Sequence, residues 1–470
     1  MRVLLICDYI DEIGGVANYT RPLFYEMTKT DVDVTYLYTS SQRHYYTFKR
    51  RPGIVRVSDS MYEYVNCPIL VGNYGRLQDD ISCPEVEEEL EQFLIHNRFD
   101  AVHIHSILGY PASIYKVIRA HTDKLLTTVH EYWWLCPYRV MVDFNNRICE
   151  GPQDLNKCSF CIAQRPKSRN KKEQIFVYKM KNDFPRITRL FVSIKSLLRK
   201  QKHVQTPLEE NLSFGDMAVP DKYDNERRQL LEARLKTSID GLNLCDTVIA
   251  VSSDTKRILS KYGVDQDRIL VQHIGSAIAE EIIEHTKPID PNEISIGFIG
   301  GVGYYKGVHQ LVDAFVRLPK DIKSKSVLNI FGGYSQGYYN AIQHQIIIDD
   351  EDRKRIVFHG RFSRAEIPGI TNRIDFSVLP SLCADTAPQT IFESFNAGLP
   401  IIAPRVGGFS DFIVDGKNGL LYEAASVEDL SDKLRIVLQD PSLISEMRKH
   451  IVRTKTMKEN VEELVSLYRQ

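Results

Sequence analysis

Two acids eight residues apart, Asp385 and Glu393, bracket the start of an expected helix in the 470-residue chain. The segment 380–398 reads as a loop that runs into a helix. Pro388 suits its first turn and Gly398 its stop. The N–H groups of Gln389 and Thr390 would then be free of intrahelical acceptors, and together with the helix dipole they suit a phosphate. Asp385 lies in the loop. Glu393 lies one turn inside the helix, within reach of a hydroxyl-rich group bound at its end. A second segment complements the first. Gly300-Gly301-Val302-Gly303-Tyr304-Tyr305-Lys306-Gly307 follows an expected strand and precedes an expected helix. Glycines let a backbone approach a ligand closely, and Lys306 adds a compact cation for phosphate. His130 ends another expected strand, where ligands of open α/β sheets bind, and is a candidate beside a reacting centre.

Each feature also has a plainer reading. Acids at this spacing are common, a lysine near a helix start is often only solvated, and a strand-end histidine can be a structural hydrogen-bonding group. The order of the loop, the lysine and the acid pair favours a binding site for a phosphorylated, hydroxyl-rich ligand. A dinucleotide fingerprint fits poorly, because its third glycine position is Lys306. The next strand ends Asn329-Ile330-Phe331-Gly332, without a ribose-binding acid. His103 and His105 share one strand face, in core or in cleft, and neither is assigned a role.

Cys136, Cys149, Cys158 and Cys161 have the spacing C-x12-C-x8-C-x2-C. Four thiolates would suit a closed structural zinc site, and a set of free thiols is the alternative. The remaining cysteines read as packed thiols. Trp133-Trp134 could wall an acceptor site or pack under the loop.

The elements that must position these groups alternate along the chain. Short β-branched runs at 2–7, 32–38, 101–105, 124–129 and 247–251 read as buried strands, as do 295–299, 327–331, 355–359, 375–379 and 400–403. Helical periodicity separates most of them. This pattern predicts two doubly wound parallel-sheet domains, divided near 277–293. The stretch 136–240 breaks the alternation. Within 163–202 there are thirteen Lys and Arg against Glu173 and Asp183. Ile187, Leu190, Phe191, Ile194, Leu197 and Leu198 would line one face of a basic amphipathic helix there. Such a helix either packs on its own domain or lies on an anionic membrane surface.

Composition narrows the class. Lys plus Arg is 60 and Asp plus Glu is 61, which argues against a protein devoted to nucleic acid. At 43% hydrophobic and 26% charged, the chain can bury ordinary cores and is not disordered as a whole. No apolar run is long enough for a membrane span, and the start reads as a strand rather than a secretory signal. With nine cysteines and no signal, a cytoplasmic location with reduced thiols is expected, peripheral to the inner face of the membrane if the basic helix docks there.

These residues resemble the retaining GT-B glycosyltransferases, and within them glycosyltransferase family four, the group 1 glycosyl transferases. The resemblance rests on the acidic-x7-acidic signature at Asp385 and Glu393, followed by Gly407-Gly408, Asp411 and 415–420. It extends to 298–307 as a phosphate loop and to Val357-Phe358-His359-Gly360-Arg361 as a base-contacting turn. Gly14-Gly15-Val16-Ala17 is similar to the loop that closes over the sugar diphosphate. His103-Ile104-His105 and Val129-His130-Glu131 are similar to the acceptor-side strand ends. The likeness is close over about 294–425, looser over 1–30, 99–135 and 245–275, and absent over most of 140–240.

The resemblance implies two Rossmann-like domains facing a central cleft. An acceptor-side domain would span 1–280 with an insertion at about 136–240. A nucleotide-sugar domain would span 281–450, and a helix at 451–470 would cross back. It implies that Glu393 holds the ribose of a nucleoside-diphosphate-sugar donor. Lys306, Gly15, Gly301 and the amides of Gln389 and Thr390 would meet its diphosphate, and Arg361 its base. Asp385 would touch the transferred sugar, and His130 the reacting centre. No metal cofactor would be required, and a glycan or lipid-linked glycan would be the acceptor. Two departures stand out: Asp385 replaces the usual glutamate, and Gly301 replaces an arginine. They also motivate the alternative of a non-catalytic scaffold or glycan-binding protein.

Overall fold

Strand β1 (Arg2–Cys7) is apolar at most positions and buried from Val3 onward, as a strand covered on both faces must be. The computed structural model describes residues 1–7, 15–39, 53–65, 67, 69, 77–164, 224–279 and 288–470. The basic helix expected over 186–202, and Gly14, lie outside the described residues. In the N-terminal half, β1 is joined by β2 (Asp33–Thr39), β3 (Gly53–Ser58), β4 (Met61–Val65), β5 (Ala101–Ile104), β6 (Lys124–Val129), β7 (Thr247–Ala250) and β8 (Ile269–Val271). They form one sheet in the order β3-β4-β2-β1-β5-β6-β7-β8. Only the edge pair β3–β4 is antiparallel.

The C-terminal half forms a second sheet from β9 (Ile294–Ile299), β10 (Ser326–Phe331), β11 (Ile356–Gly360), β12 (Phe376–Val378), β13 (Ile401–Pro404) and β14 (Gly419–Tyr422). Its order is β11-β10-β9-β12-β13-β14, parallel throughout. The strand order reverses between β9 and β12. A crevice therefore opens at their carboxyl ends, and the loops 300–307 and 379–388 emerge there.

The two domains share a core. One cluster runs from β1, β2 and helix Gly15–Met27 to helix Gln389–Asn396 and helix Met457–Arg469. That last helix starts in a capping box between Thr456 and Glu459 and packs against helix Gly15–Met27. Its Asn460 Oδ1 accepts from Tyr19 Oη at 2.7 Å and from the Gly275 amide at 3.0 Å. Asp411 Oδ2 accepts from Ser253 N at 2.7 Å and pairs with His273 Nε2 at 3.0 Å. Burial alone would raise the Asp411 carboxyl; these hydrogen bonds outweigh it and hold the pKa below the usual value.

The stretch that broke the alternation begins as a small lobe. A hairpin closes at the Val142–Ile148 bridge, and helix Leu155–Ala163 docks on it. Phe160 meets Phe144 edge-on at 4.9 Å, and Lys157 pairs with Asp143 at 2.8 Å. Trp133 and Trp134 are both buried in the N-terminal core. Trp134 Nε1 donates to Tyr115 Oη at 2.7 Å, and the Arg234 guanidinium lies 4.8 Å over Trp133.

Candidate active site

The glycine loop after β9 is held against the end of β10. Gly300 N donates to Phe331 O at 3.0 Å and Val302 N to Gly333 O at 3.1 Å. A Cβ on Gly332 would stand 1.7 Å from the Gly300 carbonyl oxygen, so no side chain fits there. Lys306 closes the short 3-10 turn Tyr304–Lys306, and Gly307, at φ +67°, starts helix Val308–Val316. Pro388 caps helix Gln389–Asn396, leaving the amides of Gln389 and Thr390 in its first turn, and Gly398 follows at φ +66°. Thr390 Cγ2 lies near Gly300, which brings this helix start to the glycine loop.

Lys306 Nζ meets Asp385 Oδ2 at 2.8 Å. The two groups assigned to diphosphate and to sugar are thus ion-paired across the crevice. The Asp385 charge is the main reason the Lys306 pKa is raised, against the opposing effect of burial. Ser381 Oγ donates to the same carboxylate at 3.1 Å, and Cys383 Sγ lies 3.7 Å from Oδ1. Burial, then the nearby carboxylate, pushes the Cys383 thiol up to about 12. Cys383 therefore supports Asp385 besides packing, which a lone cysteine in a sequence does not disclose. Gly407 and Gly408 pack on the Asp385–Thr386 backbone, and Gly408 N donates to Asp385 O at 2.8 Å.

His130 faces this loop from the other domain, since Thr386 Oγ1 donates to its carbonyl oxygen. Gln389 Nε2 reaches Gly15 O at 3.5 Å. Tyr138 Oη and Tyr305 Oη are 2.7 Å apart, so the lobe after β6 touches the turn that carries Lys306. Glu393 is half-buried one turn into its helix. Gly301 is exposed, with open space where its Cβ would be. Arg361 lies over Gly333 and lines a cavity of about 310 Å³ with Phe331, His359, Gly360, Phe362 and Glu366. The His359 ring is stacked on Phe331 at 4.1 Å. The structure thus brings Gly15, His130, Gly301, Lys306, Asp385, Gln389 and Thr390 to one cleft, with Arg361 at its β10–β11 end.

His103 and His105 are fully buried, on the core side of the cleft. His103 bonds Tyr468 Oη at 2.6 Å and Thr128 Oγ1 at 2.7 Å. His105 Nδ1 lies 3.1 Å from His130 Nε2. Burial lowers all three pKa values, to about 3 for His103 and His130, so the cluster is neutral near pH 7. The shared face of His103 and His105 was legible in sequence; their link to His130 needed the pairing of β5 with β6.

Cys136, Cys149, Cys158 and Cys161 lie in the lobe after β6, where their charges would influence one another. Among the described residues, however, no three His, Cys, Asp or Glu side chains form a group arranged to hold a metal ion. Cys149 Sγ instead points to Gly151 O at 3.5 Å. Burial raises the Cys158 thiol and pushes Cys136 up to about 11.

Two Rossmann-like domains closed by a returning helix around such a cleft are a GT-B fold. Sucrose-phosphate synthase from Thermosynechococcus elongatus superposes with a TM-score of 0.60 at 15% identity, over 100% of this chain and 98% of that one. HepE of Anabaena, solved in complex with UDP, gives 0.59 at 14% identity over 100% of both chains. Residues 279–456 match the family of glycosyl transferases group 1. An uncharacterized glycosyltransferase of Methanocaldococcus jannaschii is 25% identical over 202 residues, 42% of this chain and 50% of that protein. The chain spans about half or less of the length of the first curated relatives it matches. The fold that the resemblance implies is present: the chain has a GT-B fold, and its C-terminal domain carries the match to glycosyl transferases group 1.

Proposed function

We propose that the protein is a glycosyltransferase that moves a sugar from a nucleoside diphosphate to a hydroxyl with retention of configuration. The observation that carries this reading is the convergence at the β9–β12 crevice. The glycine loop, Lys306 and the amide end of helix Gln389–Asn396 meet there, opposite His130. The cavity beside Arg361 would take the base, Glu393 the ribose, and Lys306 with the Gln389 and Thr390 amides the diphosphate. UDP in HepE supports a donor of this class.

The bond from the sugar's anomeric carbon to the phosphate oxygen breaks as a bond to the acceptor oxygen forms on the same face. The acceptor proton passes to the departing phosphate oxygen, so no paired carboxylates are needed. Lys306 and the helix end stabilise the charge that grows on the leaving diphosphate, which a divalent cation would otherwise do. Asp385 holds Lys306 in place and faces the sugar, one methylene shorter than a glutamate would be. The basic stretch within 163–202 supports a lipid-linked glycan or growing surface polysaccharide as acceptor, met at the inner face of the membrane.

Transfer or donor hydrolysis with a panel of nucleotide-sugars, in chelator, tests the reading. Glu393→Ala and Lys306→Ala are each expected to lose activity by more than about a hundredfold while unfolding normally. Full activity in both variants contradicts the site. The scaffold alternative, which Gly301 and Asp385 favour, instead expects no activity in the parent and activity after Gly301→Arg with Asp385→Glu.

A further inference from the structure

Three histidines meet between the domains, and their hydrogen bonds restrict where the protons lie. Burial keeps His103, His105 and His130 neutral near pH 7, so each ring carries one N–H. The 3.1 Å contact between His105 Nδ1 and His130 Nε2 holds one hydrogen. His105 Nε2 is sealed from solvent and has no partner. If the shared hydrogen belonged to His130, the His105 proton would sit on Nε2 as an orphaned, buried N–H. If it belongs to His105, Nε2 is only a bare acceptor. Orphaned buried donors are the rarer and costlier case. The His130 proton then lies on its Nδ1. That atom makes no hydrogen bond among the described residues and is not sealed from solvent.

We infer that His105 is a positioning residue that fixes His130 as the Nδ1–H tautomer, so that His130 offers the cleft a hydrogen-bond donor and not a base. The surroundings leave His105 little freedom. Its ring lies 4.0 Å from that of His103, whose nitrogens are tied to Tyr468 and Thr128. Tyr19 stands over the His130 ring at 4.8 Å with its hydroxyl committed to Asn460. In the glycosyl-transfer reading, on which the catalytic part of this inference rests, the donor N–H meets a hydroxyl oxygen of the sugar or acceptor. Proton removal from the acceptor is left to the donor phosphate.

Long-range nitrogen–proton NMR on protein with 15N-labelled histidine reads the tautomer directly, with His130→Asn to assign the signals. The expected spectrum shows His130 protonated on Nδ1. In His105→Leu the preference is lost. In His105→Asn, whose side-chain amide can donate from the position of Nδ1, it returns. If the chain transfers sugar, kcat falls about tenfold in His105→Leu and recovers in His105→Asn, while nucleoside diphosphate affinity stays unchanged. A parent His130 protonated on Nε2, or a tautomer unaltered by His105→Leu, overturns the inference. Absence of transfer with a clear Nδ1–H signal counts against the function and leaves the tautomer assignment standing.

Discussion

At the scale of single residues, the site holds less positive charge than its fold has room for. Lys306 is paired with Asp385, and Gly301 brings no charge to the glycine loop. Because space is open at the Gly301 Cβ, an arginine there can reach a bound diphosphate without displacing backbone. Gly301→Arg is therefore expected to tighten nucleoside diphosphate binding about tenfold by calorimetry, the worth of one charge-assisted hydrogen bond. Unchanged affinity would place the diphosphate elsewhere. The buried histidines also make stability depend on pH. Unfolded, His103 takes up a proton as pH falls through its ordinary 6.5; folded, it resists until about pH 3. The unfolded state thus binds more protons in that window, and its share of stability falls by up to about 1.4 kcal/mol per pH unit below 6.5. Urea midpoints measured from pH 7 to 5 should fall less steeply in His103→Gln than in the parent. Equal slopes would mean that His103 is charged in the fold.

Elements rather than single groups bring the site together. The glycine loop is usable only because β10 is followed by Gly332, whose missing side chain lets the Gly300 carbonyl lie against it. Gly332→Ala should cost more than about 2 kcal/mol and weaken nucleoside diphosphate binding with it, measured as paired losses in urea midpoint and affinity. A fully stable variant would show that the loop can move aside. Much at this scale was legible beforehand. All ten strands expected from β-branched runs are present, with ends shifted by a residue or two, because buried parallel strands are apolar along their length. The edge hairpin β3–β4 and the short strands β8 and β14 were not foreseen. β3 is mostly exposed and carries Arg56 and Ser58, so it gives no apolar run. β8 is three residues long, and β14 follows a turn-rich stretch.

Across the whole molecule, the cleft depends on contacts between domains that no local pattern encodes. The acids Asp385 and Glu393, Lys306 and the glycine loop could be read from one stretch of sequence each. Asp411 with His273, Asn460 with Tyr19 and Tyr138 with Tyr305 could not, because the partners lie more than a hundred residues apart. The same holds for the four cysteines, which the fold gathers into one lobe although among the described residues they form no group arranged to hold a metal ion. No helix among the described residues is long and apolar enough to cross a membrane. On the proposed function, the crevice at β9 and β12 binds a nucleoside diphosphate through Lys306. Thermal unfolding of the full chain with a panel of nucleoside diphosphates, without added metal, tests it most directly. A ligand at about a hundred times its dissociation constant should add about 2.7 kcal/mol of stability, with one base preferred, and the shift should vanish in Lys306→Ala. No shift with any base, or an equal shift in the variant, would contradict the account.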